Sequence, residues 1–250
     1  MTVRMRTIDY QEGDVVLSGE LAWDDAWTSP RPAVVIVHDA MKSTGGFEEG
    51  RAATLAGRGY AGFVLDVYGK GVHGRDFDES LALMTPFQQD RAALLRRLQA
   101  GLSTAAKQPE VDAKRLAAIG YCFGGMCVLD LARANAPLLG VASFHGLLTP
   151  PPAGTASPFT SAPIESRPIA SKVLVLHGWD DPFVPAETVP AFAREMSERK
   201  ADWQLVAYGN TVHGFSNPSA NLPAMGAMYD ARADRRSWHA LEHFLAEIFR

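Results

Sequence analysis

The stretch Gly120-Tyr121-Cys122-Phe123-Gly124-Gly125 decides how this chain reads. An apolar run, residues 116–119, leads into it, and a helix-like run, residues 126–134, follows. A strand, a sharp turn and a helix in that order form the context in which a nucleophile is presented on an elbow. A side chain at Gly120 or Gly124 would collide across so tight a turn, and Gly125 lets the new helix pack close to the strand. The cysteine then sits beside a helix N-terminus, whose dipole favours an anion, and a thiolate gains from that placement. Taken alone, a cysteine between glycines is more often a buried small hydrophobe or a turn residue.

The flanking sequence supplies the frame. Residues 33–37 are a continuous apolar, β-branched run, the mark of a strand buried on both faces. Residues 3–10 and 15–23 predict a pair of strands, and 60–67, 139–144, 173–176 and 203–208 predict further ones. Helical spacing covers 47–58, 87–103, 188–199 and 231–249. The alternation predicts an α/β fold, a mostly parallel twisted sheet with helices on both faces, in a single domain, 1–250. Two segments read as loops: 69–78 is glycine-rich and charged, and 149–168 is rich in Pro and Ser. Both follow the carboxyl ends of predicted strands, where ligand sites form in such sheets.

Composition excludes several functions. The chain has 250 residues, 47% hydrophobic and 21% charged, with 24 basic and 28 acidic side chains for a net charge of −4. That is no basic footprint, so no nucleic-acid partner is expected. Cys122 and Cys127 lie too close together across an elbow to imply a disulfide framework. Residues 1–10 are charged, with no apolar core of a signal peptide, and no run is long enough to span a membrane. A cytoplasmic protein with no membrane partner is expected. His239 and His243 are four apart in the last predicted helix and read as a surface pair, so no metal and no cofactor is expected.

A nucleophile needs a base, and the base needs an orienting acid. The predicted strand 173–176 runs into His177-Gly178-Trp179-Asp180-Asp181-Pro182, which offers two adjacent carboxylates. The strand 203–208 runs into Gly209-Asn210-Thr211-Val212-His213-Gly214-Phe215. Nucleophile, acid and histidine thus follow in order, each after its own strand, with room for one helix between strands. One oxyanion donor is expected from the N–H of Phe123, the residue after the cysteine, and the other from Ala40, in the loop after the strand 33–37.

On these residues the chain resembles the dienelactone hydrolase family of the α/β-hydrolase fold, over nearly its full length. The carriers are Gly-x-Cys-x-Gly-Gly at 120–125, Gly178-x-x-Asp181-x-x-Val184-Pro185, and His213-Gly214-Phe215. The resemblance implies a triad of Cys122, Asp181 and His213. It selects Asp181 over Asp180 because the family sets its acid three residues before Val-Pro. It implies hydrolysis of activated esters or lactones, carboxymethylenebutenolidase-like, through an acyl-cysteine intermediate, with a small ester or lactone as partner. A monomer or homodimer is expected. Family members often carry an acid after the first buried strand that holds the cysteine as a thiol, and Asp39 stands there. They also use two arginines for a substrate carboxylate. Here Lys70 replaces one, after Asp66-Val67-Tyr68-Gly69, and the uncharged Asn217 replaces the other. Lysine keeps the charge but loses the bidentate fork. Tyr68, Lys70, Asn217 and His145, the last just after the strand 139–144, are the expected substrate-binding residues. The rival readings are a non-catalytic small-molecule-binding protein of this fold, or a peptidase or thioesterase.

Overall fold

A strand whose every residue is apolar must bury both of its faces, and the computed structural model shows how. It describes residues 2–42, 46–160 and 162–250; Met1, and position 161 of the expected 149–168 loop, lie outside these. Eight strands build the main sheet: β1 (Val3–Glu12), β2 (Val15–Asp24), β3 (Arg31–Val37), β4 (Ala61–Leu65), β5 (Val111–Tyr121), β6 (Gly140–Phe144), β7 (Lys172–Gly178) and β8 (Trp203–Tyr208). Their order is β1-β2-β4-β3-β5-β6-β7-β8. β2 runs antiparallel to both of its neighbours, and every other pairing is parallel.

Alternation along the strands divides the core in two. In β3, Ala33, Val35 and Val37 join one apolar cluster, and Val34 and Ile36 join the other. In β5, Leu116 and Ala118 face the first, and Ala117, Ile119 and Tyr121 the second. The helices α1 (Phe47–Ala56) and α6 (Ala231–Ile248) cover the second cluster. On the other face lie α2 (Phe77–Gln89), α3 (Arg91–Ala106), α4 (Phe123–Arg133) and α5 (Thr188–Glu198).

The expected single helix over 87–103 is two helices, and the first begins inside the expected loop 69–78. Asp76 caps α2, its carboxylate accepting from the Glu79 N–H at 2.9 Å. Asp90 has non-helical backbone (φ −113°, ψ 84°) and caps α3, accepting from the Ala93 N–H at 2.8 Å. Both are N-cap side chains satisfying otherwise orphaned donors. β5 starts at Val111 rather than near 116, because Arg31 pairs with Val111 across an irregularity in the β3–β5 register. α4 starts at Phe123, immediately after the cysteine. A small hairpin of β9 (Asn221–Leu222) and β10 (Ala227–Met228) follows the main sheet. Parallel strands carry the loops after β3, β5, β7 and β8 to one edge, and the expected site residues collect there.

Candidate active site

The elbow is a consequence of steric crowding at the end of β5. Cys122 adopts φ 53° and ψ −114°, a conformation a non-glycine residue seldom takes. Such a residue costs about 1–3 kcal/mol and persists only when its surroundings hold it. A Cβ on Gly120 would overlap the Gly124 carbonyl, and one on Gly124 would overlap the Val37 and His38 carbonyls at the end of β3. Gly124 thus answers to the neighbouring strand rather than to its own turn. A Cβ on Gly125 would come within 2.7 Å of the Gly146 Cα, so α4 packs directly against the loop after β6.

The Cys122 N–H is shared between the Phe144 carbonyl at 3.0 Å and His145 Nδ1 at 3.1 Å. His145 is buried, takes a positive φ of 40°, and places Nε2 2.8 Å from Ser216 Oγ. Burial, with His213 nearby, lowers its pKa well below the usual histidine range, so the ring is neutral. Since Nδ1 accepts, the proton sits on Nε2 and is donated to Ser216. His145 therefore stands behind the elbow and does not line the cavity in front of it.

Asp181 and His213 meet as their strands deliver them. His213 Nδ1 lies 2.7 Å from Asp181 Oδ2, and Asp181 Oδ1 accepts from the Phe183 N–H at 2.9 Å. Asp180 is exposed. The His213 backbone is pinned to the small hairpin by bonds with Gly226 and Met228. Burial alone would lower the His213 pKa, but Cys122 and Asp181 outweigh it and hold the imidazole up to about 10. A charged imidazolium between a carboxylate and a cysteine is the result.

Ala40, Cys122, Phe123 and His213 line one small cavity. Neither the Ala40 nor the Phe123 N–H has a hydrogen-bond acceptor among the described residues. Two free backbone donors beside a nucleophile can hold a developing oxyanion.

Asp39 lies in the loop after β3, its Oδ1 accepting from the N–H groups of Met41 (2.8 Å) and Lys42 (3.1 Å). Asn217 Nδ2 sits 3.5 Å from Asp39 Oδ2. No hydrogen bond joins Asp39 to Cys122 among the described residues. Burial raises the Asp39 pKa, against lowering by its two loop N–H groups, Asn217 and His213. Tyr68 is buried and donates to the Ala40 carbonyl at 3.1 Å, so it braces the loop after β3. Lys70 is an exposed side chain paired with Asp9 of β1 and lines no part of the cavity.

Glu48 carries no site signal in the sequence. It is 2% exposed in the first turn of α1, and its Oε1 accepts from the Asp39 N–H at 3.0 Å. Burial, then the neighbouring Asp39 carboxyl, pushes its pKa up to about 8. An acid in a first helical turn reads in sequence as a partner for the helix dipole; its burial is a tertiary fact.

The strand order, the elbow after β5 and the loops after β7 and β8 define an α/β-hydrolase fold. A profile of the dienelactone hydrolase family matches residues 19–249. A solved structure of a dienelactone hydrolase-like promiscuous phosphotriesterase, P91, from metagenomic libraries superposes with a TM-score of 0.88 at 38% identity, covering 99% of each chain. An uncharacterised protein of Caenorhabditis elegans is 38% identical over 167 residues, 64% of this chain and 98% of its own. A Yersinia pestis protein named for carboxymethylenebutenolidase activity is 24% identical over 205 residues, 80% of this chain and 74% of its own. The chain belongs to the dienelactone hydrolase family and is a hydrolase.

Proposed function

We propose that this hydrolase cleaves activated carboxylic esters or lactones through an acyl-cysteine formed on Cys122, with His213 as base and acid and Asp181 as the residue that orients it. The observation that carries the reading is the 2.7 Å His213–Asp181 hydrogen bond, made behind the cavity that His213 and a backbone-strained Cys122 both line. Asp181 accepts from Nδ1, which turns Nε2 toward the thiol.

The steps follow from those positions. The Cys122 thiolate, beside the His213 imidazolium and the α4 N-terminus, attacks the carbonyl carbon. The carbonyl oxygen becomes an oxyanion held by the Ala40 and Phe123 N–H groups. The C–O bond breaks and the leaving oxygen takes the proton from His213 Nε2. Water then attacks the thioester, giving its proton to His213, and the carboxylic acid leaves as the C–S bond breaks. A thiolate is itself readily expelled from the tetrahedral intermediate, so enol lactones and activated esters suit it and amides do not.

The reading is tested with p-nitrophenyl acetate and mass spectrometry of the enzyme. The wild type is expected to hydrolyse the ester and to carry an acetyl group on Cys122 during turnover; Cys122→Ala is expected to do neither. Asp181→Asn is expected to lower kcat by about 10⁴-fold, as loss of the orienting acid does elsewhere, and Asp180→Asn to change it little. Equal rates for wild type and Cys122→Ala would remove the cysteine from the mechanism. An adduct that never turns over would favour a binding protein.

A second reading, hydrolysis of neutral phosphotriesters, rests on the uncharged walls of the cavity and on the name borne by the 38% identical solved relative. A Cys122-dependent release of p-nitrophenol from a diethyl p-nitrophenyl phosphate would support it.

A further inference from the structure

The cavity in front of Cys122 is small, about 100 Å³. Its reacting end is Ala40, Cys122, Phe123 and His213, and the rest of its wall comes from four places, one of them Phe183 in the loop after β7. Helix α2 presents Phe77, Leu81 and Met84, one side chain per turn along one face. The loop after β6 gives Leu147, and the β9–β10 hairpin gives Leu222 and Met225. Among the described residues, no lysine, arginine, aspartate or glutamate lines it.

The cations nearest in sequence to the expected anion clamp are committed elsewhere. Lys70 pairs with Asp9 at the sheet edge. Lys42 Nζ is held by Asp66 Oδ1 at 2.5 Å and by the Gly69 carbonyl at 2.8 Å. Asn217, at the other clamp position, carries no charge and faces Asp39. Among the described residues lining the cavity, the one cationic group, His213, already faces Asp181 and Cys122. A substrate carboxylate would thus lose its water, find no partner, and lie near the Asp39 carboxyl. Burying an unpaired carboxylate is among the costliest events in a protein interior.

We infer that this enzyme selects neutral, apolar esters or lactones, and that α2 and the β9–β10 hairpin form the apolar wall that excludes carboxylate-bearing substrates. The inference rests on the acyl-cysteine reading above. Leu81 and Leu222 are its specificity-determining residues. Leu81 is half-buried in the middle of the α2 face, and Leu222, 44% exposed, stands at the rim.

The test compares p-nitrophenyl butyrate with mono-p-nitrophenyl succinate, which replaces the terminal methyl by a carboxylate. The wild type is expected to prefer butyrate by at least roughly 100-fold in kcat/KM. Leu81→Arg, which supplies a partner for the anion, is expected to shrink that ratio about tenfold or more by raising the succinate value. Leu222→Lys, on an exposed position that leaves folding undisturbed, is expected to act in the same direction. A wild-type ratio near one, with acyl-Cys122 formed from both esters, would overturn the apolar wall and leave the nucleophile standing. An unchanged ratio in both variants would do the same for these two residues. Absence of any acyl adduct from acetate, butyrate or succinate would instead overturn the acyl-cysteine reading, and the selectivity proposal with it.

Discussion

Cys122 keeps its unfavourable backbone because its neighbours leave it no other. Its N–H is divided between Phe144 and His145, and Gly120 and Gly124 admit the close approach of chain on either side. His145 links that elbow to the histidine loop through Ser216, three residues beyond His213. In the proposed mechanism it is therefore a positioning residue for Cys122. His145→Asn keeps a residue type that tolerates positive φ but is too short to reach both partners. The expected result is a fall in kcat of about tenfold or more, since small misplacements of a reacting group are costly, with KM nearly unchanged. Steady-state kinetics on p-nitrophenyl acetate, with a melting curve to show the fold intact, checks this; an unchanged kcat would refute the role. At this scale much was legible. Cys122, Asp181 and His213 each follow a strand in a recognisable motif, and the last two meet as expected. His145, Tyr68 and Lys70 were expected to bind substrate because they lie near strand ends, but a strand end does not fix where a side chain points. Tyr68 braces a carbonyl, His145 holds an amide, and Lys70 turns to Asp9.

Helix α4 begins directly after Cys122 and is buried along its whole length, including its two charged residues. Asp130 Oδ2 accepts from Arg91 Nε at 2.6 Å, and its Oδ1 lies 3.3 Å from Arg133 Nη1. Arg133 also pairs with Glu195 of α5 at 2.8 Å and donates to the Leu148 carbonyl at 2.8 Å. One carboxylate thus joins α3 to α4, and one guanidinium joins α4 to α5 and to the loop after β6. Removing a single partner from such a set leaves a buried charge without compensation. Asp130→Ala is expected to cost about 3–5 kcal/mol, read as a lower urea midpoint with an unchanged slope. A loss below about 1 kcal/mol would show the network to be dispensable. Elements were less legible than motifs where local signals competed. The caps Asp76 and Asp90 were present in the sequence, yet the glycine-rich run before one and the continuous apolar spacing across the other obscured them. The β9–β10 hairpin has two residues per strand, too few for a period to show.

Stability of the whole molecule should follow pH through groups that burial has moved in opposite directions. Burial lowers His38 to about 4 from 6.5, and lowers His145 as well. Between pH 4 and 6.5 the unfolded chain holds protons there that the folded chain does not, so these groups add stability as pH rises. Glu48, raised by burial from 4.5 to about 8, works the other way, since the folded chain keeps a proton the unfolded chain has released. His213, raised from 6.5 to about 10, contributes stability that is fully present below pH 6.5 and is lost as pH climbs toward 10. Stability is therefore expected to peak near pH 6.5 and to fall toward pH 10. Glu48→Gln is expected to make that fall shallower below pH 8, leaving the His213 contribution in place. Urea unfolding of both proteins across this range checks it; parallel curves would exclude Glu48. The amino-acid sequence by itself determined the layered α/β architecture and the placement of Cys122, Asp181 and His213 each after its own strand, because strand burial, helix period and tight-turn glycines are local constraints written in consecutive residues. Only the tertiary structure decided what surrounds them. The burial of Glu48, the diversion of Lys70 and Lys42 to other carboxylates, and the apolar wall of α2 and the hairpin depend on which distant segments the sheet brings together. Charge state and solvation are set by those neighbours.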